Sequence, residues 1–381
     1  MGAVFLRKIN DRIIFCYTIA MRSEIKLQRA LWIGFFALNF VLILLFWWNG
    51  SGSLFSQTGS NPVIIALGRL AGLLAALAVL TQFTLIGRNP LLEKVFGLDK
   101  LSLIHRANGK IAISLILVHP ILLTAGYAQL NAFGLWQQFV FFLTDFRHVV
   151  WALVGFILLI VAVGISFTIL RSRLRYETWY FVHLMIYVAV FASFWHQIAI
   201  GSDLRANQIF YWYWITLYSV VTVNHISFRF IRPVVNLARH RFEIKKVVRE
   251  NYNTTSVYIG GRSMEKFKIQ PGQFMIFRFL QKKFWWQAHP FSLSMIPQAG
   301  QIRITVKAVG DFTRQIPELR AGTKVLIDGP YGVFTDFFAV NRKALMIAGG
   351  IGITPIRSLT EQMLAGKKDV KLLYANRTKE D

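Results

Sequence analysis

One cysteine, Cys16, is the whole thiol content of the 381-residue sequence, which excludes intrachain disulfides and any iron–sulfur cluster held by cysteine thiolates. Acidic residues are scarce as well: 18 Asp and Glu stand against 43 Lys and Arg, for a net charge of +25. Much of that excess falls in short loops beside apolar runs, so membrane lipid is the expected partner and nucleic acid is not. The pattern of a cleavable leader is not expected in the opening residues. Residues 1–29 mix apolar side chains with Arg7, Lys8, Arg12, Arg22, Lys26 and Arg29, and no small-residue cleavage site follows a clean apolar core. We expect a cytoplasmic arm there.

What is abundant is apolar surface. The chain is 55% hydrophobic, with 33 Phe and 11 Trp, and the excess is concentrated before about residue 231. Six segments approach the roughly 20 residues that a bilayer requires: 30–48, 63–86, 104–126, 149–170, 179–200 and 208–230. Loop charge orients them. Arg88, Lys94 and Lys100 follow the second, Arg171, Arg173 and Arg175 the fourth, and Arg229, Arg232, Arg239 and Arg241 the sixth, whereas the alternate loops carry only Arg147 and Arg205. Both termini are therefore expected in the cytoplasm.

Four histidines lie inside these segments: His105, His119, His183 and His196. The first two are 14 residues apart, about 21 Å of helix and within about 40° of one face. The second two are 13 apart, about 20 Å, so a helix beside the first would offer an imidazole at each of two depths. One intramembrane histidine is as readily a core residue bonded to a neighbouring helix. Two matched pairs point instead to two haems, each with two axial histidines, because ionisable groups in hydrocarbon are costly and usually functional. Thirteen residues leave His183 and His196 off one face, so this reading expects a kink, an over-wound turn or a π-bulge between them. His148, His225 and His240 fall at segment ends or beyond and are expected to be interfacial or solvated. Arg69, toward the outer end of the second segment, is either a snorkelling side chain or a functional cation that pairs with an outer haem propionate or attracts an anionic species.

After Pro233 the pattern changes to short alternating strands: 241–248, 255–260, 273–279, 301–306 and 324–328, expected to form a small antiparallel barrel. Within it His289, Pro290, Phe291, Ser292 and Ser294 offer an aromatic wall and hydroxyls suited to a flavin, and Lys307 with Gly310, Asp311, Phe312 and Thr313 offers a phosphate cradle. An ordinary strand and turn would read the same way. Residues 344–348 form a short apolar strand that runs into Gly349, Gly350 and Gly352, with Thr354 and Pro355 opening a helix to about Leu364. Glycines let a pyrophosphate approach the backbone, and the helix start supplies free N–H groups. Residues 370–374 would be the next parallel strand, with Asn376 and Arg377 at its carboxyl end, where a ribose or its 2′-phosphate is read; Arg377 favours NADPH over NADH.

With these motifs in this order, including Asp328-Gly329-Pro330-Tyr331-Gly332, the chain from about residue 30 to 381 resembles the ferric reductase and NADPH oxidase superfamily of transmembrane flavocytochromes. The segment Ile104-His105-Arg106-Ala107-Asn108-Gly109, with His119-Pro120 downstream, is most similar to bacterial members. The resemblance implies a cytoplasmic arm (1–29), a six-helix haem domain (30–231), an FAD-binding barrel (232–340) and the start of a Rossmann-like NAD(P)H domain (341–381). It implies an oxidoreductase in a bacterial inner membrane that passes electrons from NAD(P)H through FAD and two b-type haems to dioxygen or a ferric chelate outside. A haem subunit serving a separate partner protein is the alternative, and a transporter-like bundle with structural histidines a further one. Accessory subunits and homo-oligomers stay open. The family's nucleotide domain continues for several strands, with a cysteine-glycine motif near the nicotinamide and a terminal aromatic over the flavin. The sequence stops at Asp381 before them, and we expect a fragment of a longer protein. Some relatives place an aromatic residue between the haems, for which Phe191 and Phe194 are the candidates.

Overall fold

The computed structural model describes residues 2–166, 176–297, 300–338 and 341–376. Packing divides the chain into two units: Leu31–Ile86 with Ser102–Asn224, and Met1–Ala30 with Gly87–Leu101 and His225–Asp381.

The first unit is helical because its sequence is apolar throughout, and hydrocarbon leaves no alternative partner for backbone N–H and C=O groups. Its helices are α1 (Gly2–Ser51, which begins in the other unit), α2 (Asn61–Ile86), and α4 (Leu98–Leu130, whose first turn belongs to the other unit). They are followed by α5 (Leu135–Asp145), α6 (Arg147–Ser166), α7 (Tyr176–Ile200), α8 (Ser202–Ala206) and α9 (Gln208–Ile226). Helix α3 (Pro90–Phe96), between α2 and α4, packs in the second unit. The arm and the first segment are thus one helix rather than two pieces. Among the described residues, five helices are long and apolar enough to cross a membrane: Ser23–Ser56, Asn61–Ile86, Leu98–Leu130, Arg147–Ser166 and Glu177–Ile200. The sixth expected segment is helical as α9, but its run of Tyr and Trp with Gln208 and Asn224 keeps it out of that set.

Helix α2 is the innermost of the five. Gly68, Ala71, Ala75, Ala76 and Ala78 are buried along it, and small residues let neighbouring backbones approach where apolar driving force is weak. At Gly68 and Gly72, four residues apart, an added Cβ would meet Leu123 at 2.8 Å and the His119 ring at 2.5 Å, so α4 lies directly on this glycine face.

The second unit is built on period-two alternation. Met275, Phe277 and Phe279 point inward from one strand and Ile302, Ile304 and Val306 from another, and all are buried in one core with Phe242, Ile259 and Phe312. Its strands are β1 (Glu243–Arg249), β2 (Thr254–Gly260), β3 (Phe274–Phe279), β4 (His289–Ser292), β5 (Gln301–Lys307) and β6 (Val325–Tyr331). They form two antiparallel three-stranded sheets, ordered β1-β2-β5 and β4-β3-β6. Beyond them β7 (Lys343–Gly349) pairs in parallel with β8 (Asp369–Ala375), joined through a helix, Ile353–Ala365, labelled α12 below. Short helices α10 (Arg232–His240) and α11 (Asp311–Arg314) complete the unit.

Two histidines depart from expectation here. His225 and His240 are buried, not solvated; His240 sits with Nδ1 3.1 Å from the Arg262 carbonyl and its ring stacked 5.3 Å from Phe242. The imidazole closes the helix onto the barrel core. His148 is exposed.

Glu93 in α3 is 6% exposed, and burial raises its carboxyl above the ordinary range against the lowering contacts of the Gly332 and Leu98 N–H groups and Arg232. A raised folded pKa means that stability is complete below the unfolded value of 4.5 and declines as pH rises through the folded one. Glu93→Gln removes the charge penalty. Its thermal midpoint relative to wild type should therefore be higher at pH 8 than at pH 5, measured by circular dichroism in detergent.

Candidate functional site

Helices α4 and α7 carry the four intramembrane histidines and bring them together in two pairs. His105 and His183 have ring centres 6.3 Å apart, and His119 and His196 6.4 Å apart. The cross-helix partners are those that the spacings anticipate, but neither the over-wound turn nor the π-bulge considered between His183 and His196 is present. Tyr176–Ile200 is α-helical throughout, with no π or 3-10 turn inside it. On an ideal helix those residues are about 140° apart, and both rings nevertheless reach their partners without a π or 3-10 turn between them. A π-turn does occur, at Ser227–Ile231. It lies just before Pro233, whose missing N–H and ring clash disturb the regular ladder.

Hydrogen bonds orient the rings. His119 Nδ1 lies 2.8 Å from the Gly68 carbonyl, which can only accept, so Nδ1 carries a proton and Nε2 keeps its lone pair. His183 Nδ1 is 3.2 Å from the Ser166 hydroxyl, to which the Trp179 indole N–H also donates, and the Trp179 ring stacks on His183 at 5.4 Å. The Nδ1 atoms of His105 and His196 are buried, facing the Gln82 and Ser193 backbones, without a well-formed hydrogen bond.

These residues fit a haem. An iron between two imidazole nitrogens at metal–nitrogen distances of about 2 Å would set the ring centres about 6.3 Å apart. No cluster of three or more His, Cys, Asp and Glu side chains suited to a metal ion occurs among the described residues, so a metal here would need a macrocycle to supply its other ligands. Phe194 packs 4.8 Å from the Tyr218 ring inside the bundle, whereas Phe191 faces outward at 68% exposure.

Arg69 has partners that sequence reading missed. Its guanidinium donates to Tyr127 Oη at 3.1 Å and to Ser51 Oγ at 3.3 Å, and lies 3.7 Å from the carboxylate of Asp203, a residue only 4% exposed. Ser51 Oγ in turn donates to Asp203 at 2.7 Å. Burial raises the Asp203 carboxyl above the ordinary range, opposed by Ser51 and Arg69. No spacing signal links residues 69 and 203; a lone acid in the sparsely charged loop 201–207 was the available hint.

In the second unit, β4 places the expected flavin motif along β3. His289 stacks on Phe312 at 3.8 Å, Phe291 packs against the barrel core, Pro290 is exposed and Ser292 half-buried. A cleft of about 220 Å³ takes Ser294, Lys307, Gly350, Thr354 and Asn376 from the expected residues and adds Arg303 and Arg357, with Glu250 also on its wall. The Ser294 hydroxyl is engaged by Arg303 and Thr305. Gly349, Gly352 and Pro355 border it in chain without lining it. At the phosphate cradle expected from Gly310, Asp311, Phe312 and Thr313, Thr313 Oγ1 accepts from the Val309 and Gly310 N–H groups, and Phe312 is buried in the barrel. Arg377 lies outside the described residues.

Three family profiles align with this layout: ferric reductase like transmembrane component at residues 71–194, FAD-binding domain at 239–335 and oxidoreductase NAD-binding domain at 346–381. The chain thus joins a ferric reductase-like transmembrane component to FAD-binding and NAD-binding oxidoreductase domains, the combination of a ferric reductase/NADPH oxidase-type flavocytochrome. This ferric reductase-type chain is 24% identical over 76% of its length, and 40% of the relative's, to ferric reductase transmembrane component 3 of Saccharomyces cerevisiae. It is 33% identical over 36% of its length, and 49% of the relative's, to a probable dihydroorotate dehydrogenase B (NAD(+)) electron transfer subunit of Methanothermobacter thermautotrophicus. Among solved structures it is similar to the ferredoxin reductase in carbazole 1,9a-dioxygenase, at 22% identity over 36% of this chain and 43% of that one, with a TM-score of 0.33. The chain spans about half or less of the length of these curated relatives.

Removing Asp203 alone strands a partly buried guanidinium, which costs more than the pair itself contributes. Asp203→Ala should lower unfolding stability by about 2 kcal/mol, and the double change Arg69→Met with Asp203→Leu should restore most of it, by chemical denaturation in detergent.

Proposed function

We propose that this chain carries electrons across a membrane from NAD(P)H on the cytoplasmic side, through FAD and two haems, to a ferric chelate on the other side. The observation that carries the reading is the pair of facing imidazole couples at 6.3 and 6.4 Å on two apolar helices. Bound haem would supply one-electron carriers at two depths, and FAD would turn the two electrons of a hydride into single ones. The chain's part is to hold, orient and exclude water. His105 with His183, and His119 with His196, would hold the two haem irons, and these imidazoles would keep the acceptor from binding the metal directly. The glycine face of α2 seats His119 and supplies the Gly68 carbonyl that fixes its tautomer. Arg69, held by Asp203, Ser51 and Tyr127 one residue from Gly68, would present its remaining N–H groups to a carboxylate, either a haem propionate or the chelate.

The polar cleft at Arg303, Lys307 and Gly350 would hold cofactor phosphate, and the His289–Ser292 strand with Phe312 would lie beside the flavin. A ferric acceptor is favoured over dioxygen because the relative that aligns along three quarters of this chain is by name a ferric reductase component. The membrane unit would then comprise six spans, with α9 as the sixth and both termini cytoplasmic, in keeping with the basic loops.

His105→Ala should cut haem content by half in a pyridine haemochrome assay, from two per chain to one, and so should His196→Ala. A wild-type chain that gains no reduced b-type bands with dithionite would refute the reading.

A further inference from the structure

Within the membrane unit the four imidazoles are not held alike. In each facing pair one Nδ1 is hydrogen-bonded and the other has no well-formed bond: His119 and His183 are the bonded ones, His105 and His196 the others. The bonded rings sit on different helices and meet different acceptors. His119 reaches the Gly68 carbonyl at 2.8 Å, whereas His183 reaches the hydroxyl of Ser166, the last residue of α6, at 3.2 Å. A carbonyl can only accept, so it fixes a tautomer by itself. A hydroxyl can give or take, so its effect on His183 depends on where its one proton goes.

That proton is committed. Ser166 Oγ donates to the Ala162 carbonyl at 2.8 Å, four residues back along α6. Such a bond is the ordinary habit of a serine inside a helix, and by itself it carries no function. Its consequence is that the oxygen has only its two lone pairs to offer. One takes the Trp179 indole N–H at 3.1 Å and the other faces His183 Nδ1. His183 must therefore be the donor, and its Nε2 keeps the lone pair that a metal would need. Trp179 and His183 lie four residues apart on one face of α7, and their rings stack at 5.4 Å with 22° between planes. The indole steadies the ring whose tautomer the hydroxyl sets.

We propose that Ser166 is a positioning residue for the His105–His183 pair: by accepting from Nδ1–H it fixes the tautomer of His183, strengthens that imidazole as an electron donor, and so lowers the reduction potential of the haem held at this level. This rests on the reading under Proposed function. A hydrogen bond accepted from a ligating imidazole pushes charge onto its ring, which favours ferric over ferrous iron. The test takes the full chain loaded with haem, as wild type, Ser166→Ala, Ser166→Thr and Trp179→Phe. It reads haem content by pyridine haemochrome and the two midpoints by anaerobic potentiometric titration of the b-type bands. Ser166→Ala should keep both haems and raise one midpoint by about 59 mV, a tenfold change in its one-electron equilibrium, with the other unmoved. Ser166→Thr, which keeps the hydroxyl, should stay at the wild-type value. Trp179→Phe takes the competing N–H off the hydroxyl and leaves an aromatic ring over the imidazole. It should lower the same midpoint, and it carries the test if the alanine variant does not fold. Two haems with both midpoints unmoved in Ser166→Ala would overturn the proposal, as would a threonine variant that shifts as far as alanine, or a Trp179→Phe midpoint that stays or rises. A wild-type chain that takes up no haem refutes the underlying electron-transfer reading instead, and the haemochrome assay tells the two failures apart.

Discussion

An imidazole inside hydrocarbon must find a partner, and most of the membrane unit follows from meeting that demand four times. Each histidine satisfies one nitrogen within the bundle or leaves it facing a backbone, and each turns its ring toward a mate on the other helix. The 6.3 to 6.4 Å separation recurs at both levels, although the rings meet at different angles, 73° and 39°. A common distance with unequal tilt is what a shared central atom would impose, because rotation about a metal–nitrogen bond is cheap and stretching it is not.

That arrangement constrains the neighbours. Helix α2 touches α4 where glycine permits, and any larger residue at Gly72 would displace the His119 ring. One internally compensated cluster of Arg69, Asp203, Ser51 and Tyr127 ties α1, α2, α4 and α8 together, so the charge inside the protein is neutralised locally. In the second unit the pressure is reversed: a barrel core of alternating apolar residues is ordinary, and the informative groups are the polar ones at its margins, Arg303 in the cleft and Glu93 against Gly332.

How much of this was legible in the sequence depends on the range of the interaction. The histidine pairs were readable because helix rise turns a spacing of 14 and of 13 residues into a depth, and the strands because alternation is local. The π-bulge considered between His183 and His196 did not appear, although backbone arithmetic puts them about 140° apart on an ideal helix. His240 looked interfacial or solvated from its position and is buried, because Phe242 and Phe267, the second 27 residues on, close over its ring. Asp203 with Arg69, and Glu93 with Gly332, join residues 134 and 239 positions apart through single contacts that leave no periodic trace. At the expected phosphate cradle the Thr313 hydroxyl accepts from the Val309 and Gly310 amides, a local contact that residue types alone do not announce.

The measurement that tests the central claim most directly is low-temperature electron paramagnetic resonance of the oxidised, purified chain. Two low-spin ferric species typical of bis-imidazole ligation, with no appreciable high-spin signal, is the result predicted by the facing pairs. A dominant high-spin signal, or no haem signal at all, would contradict the account.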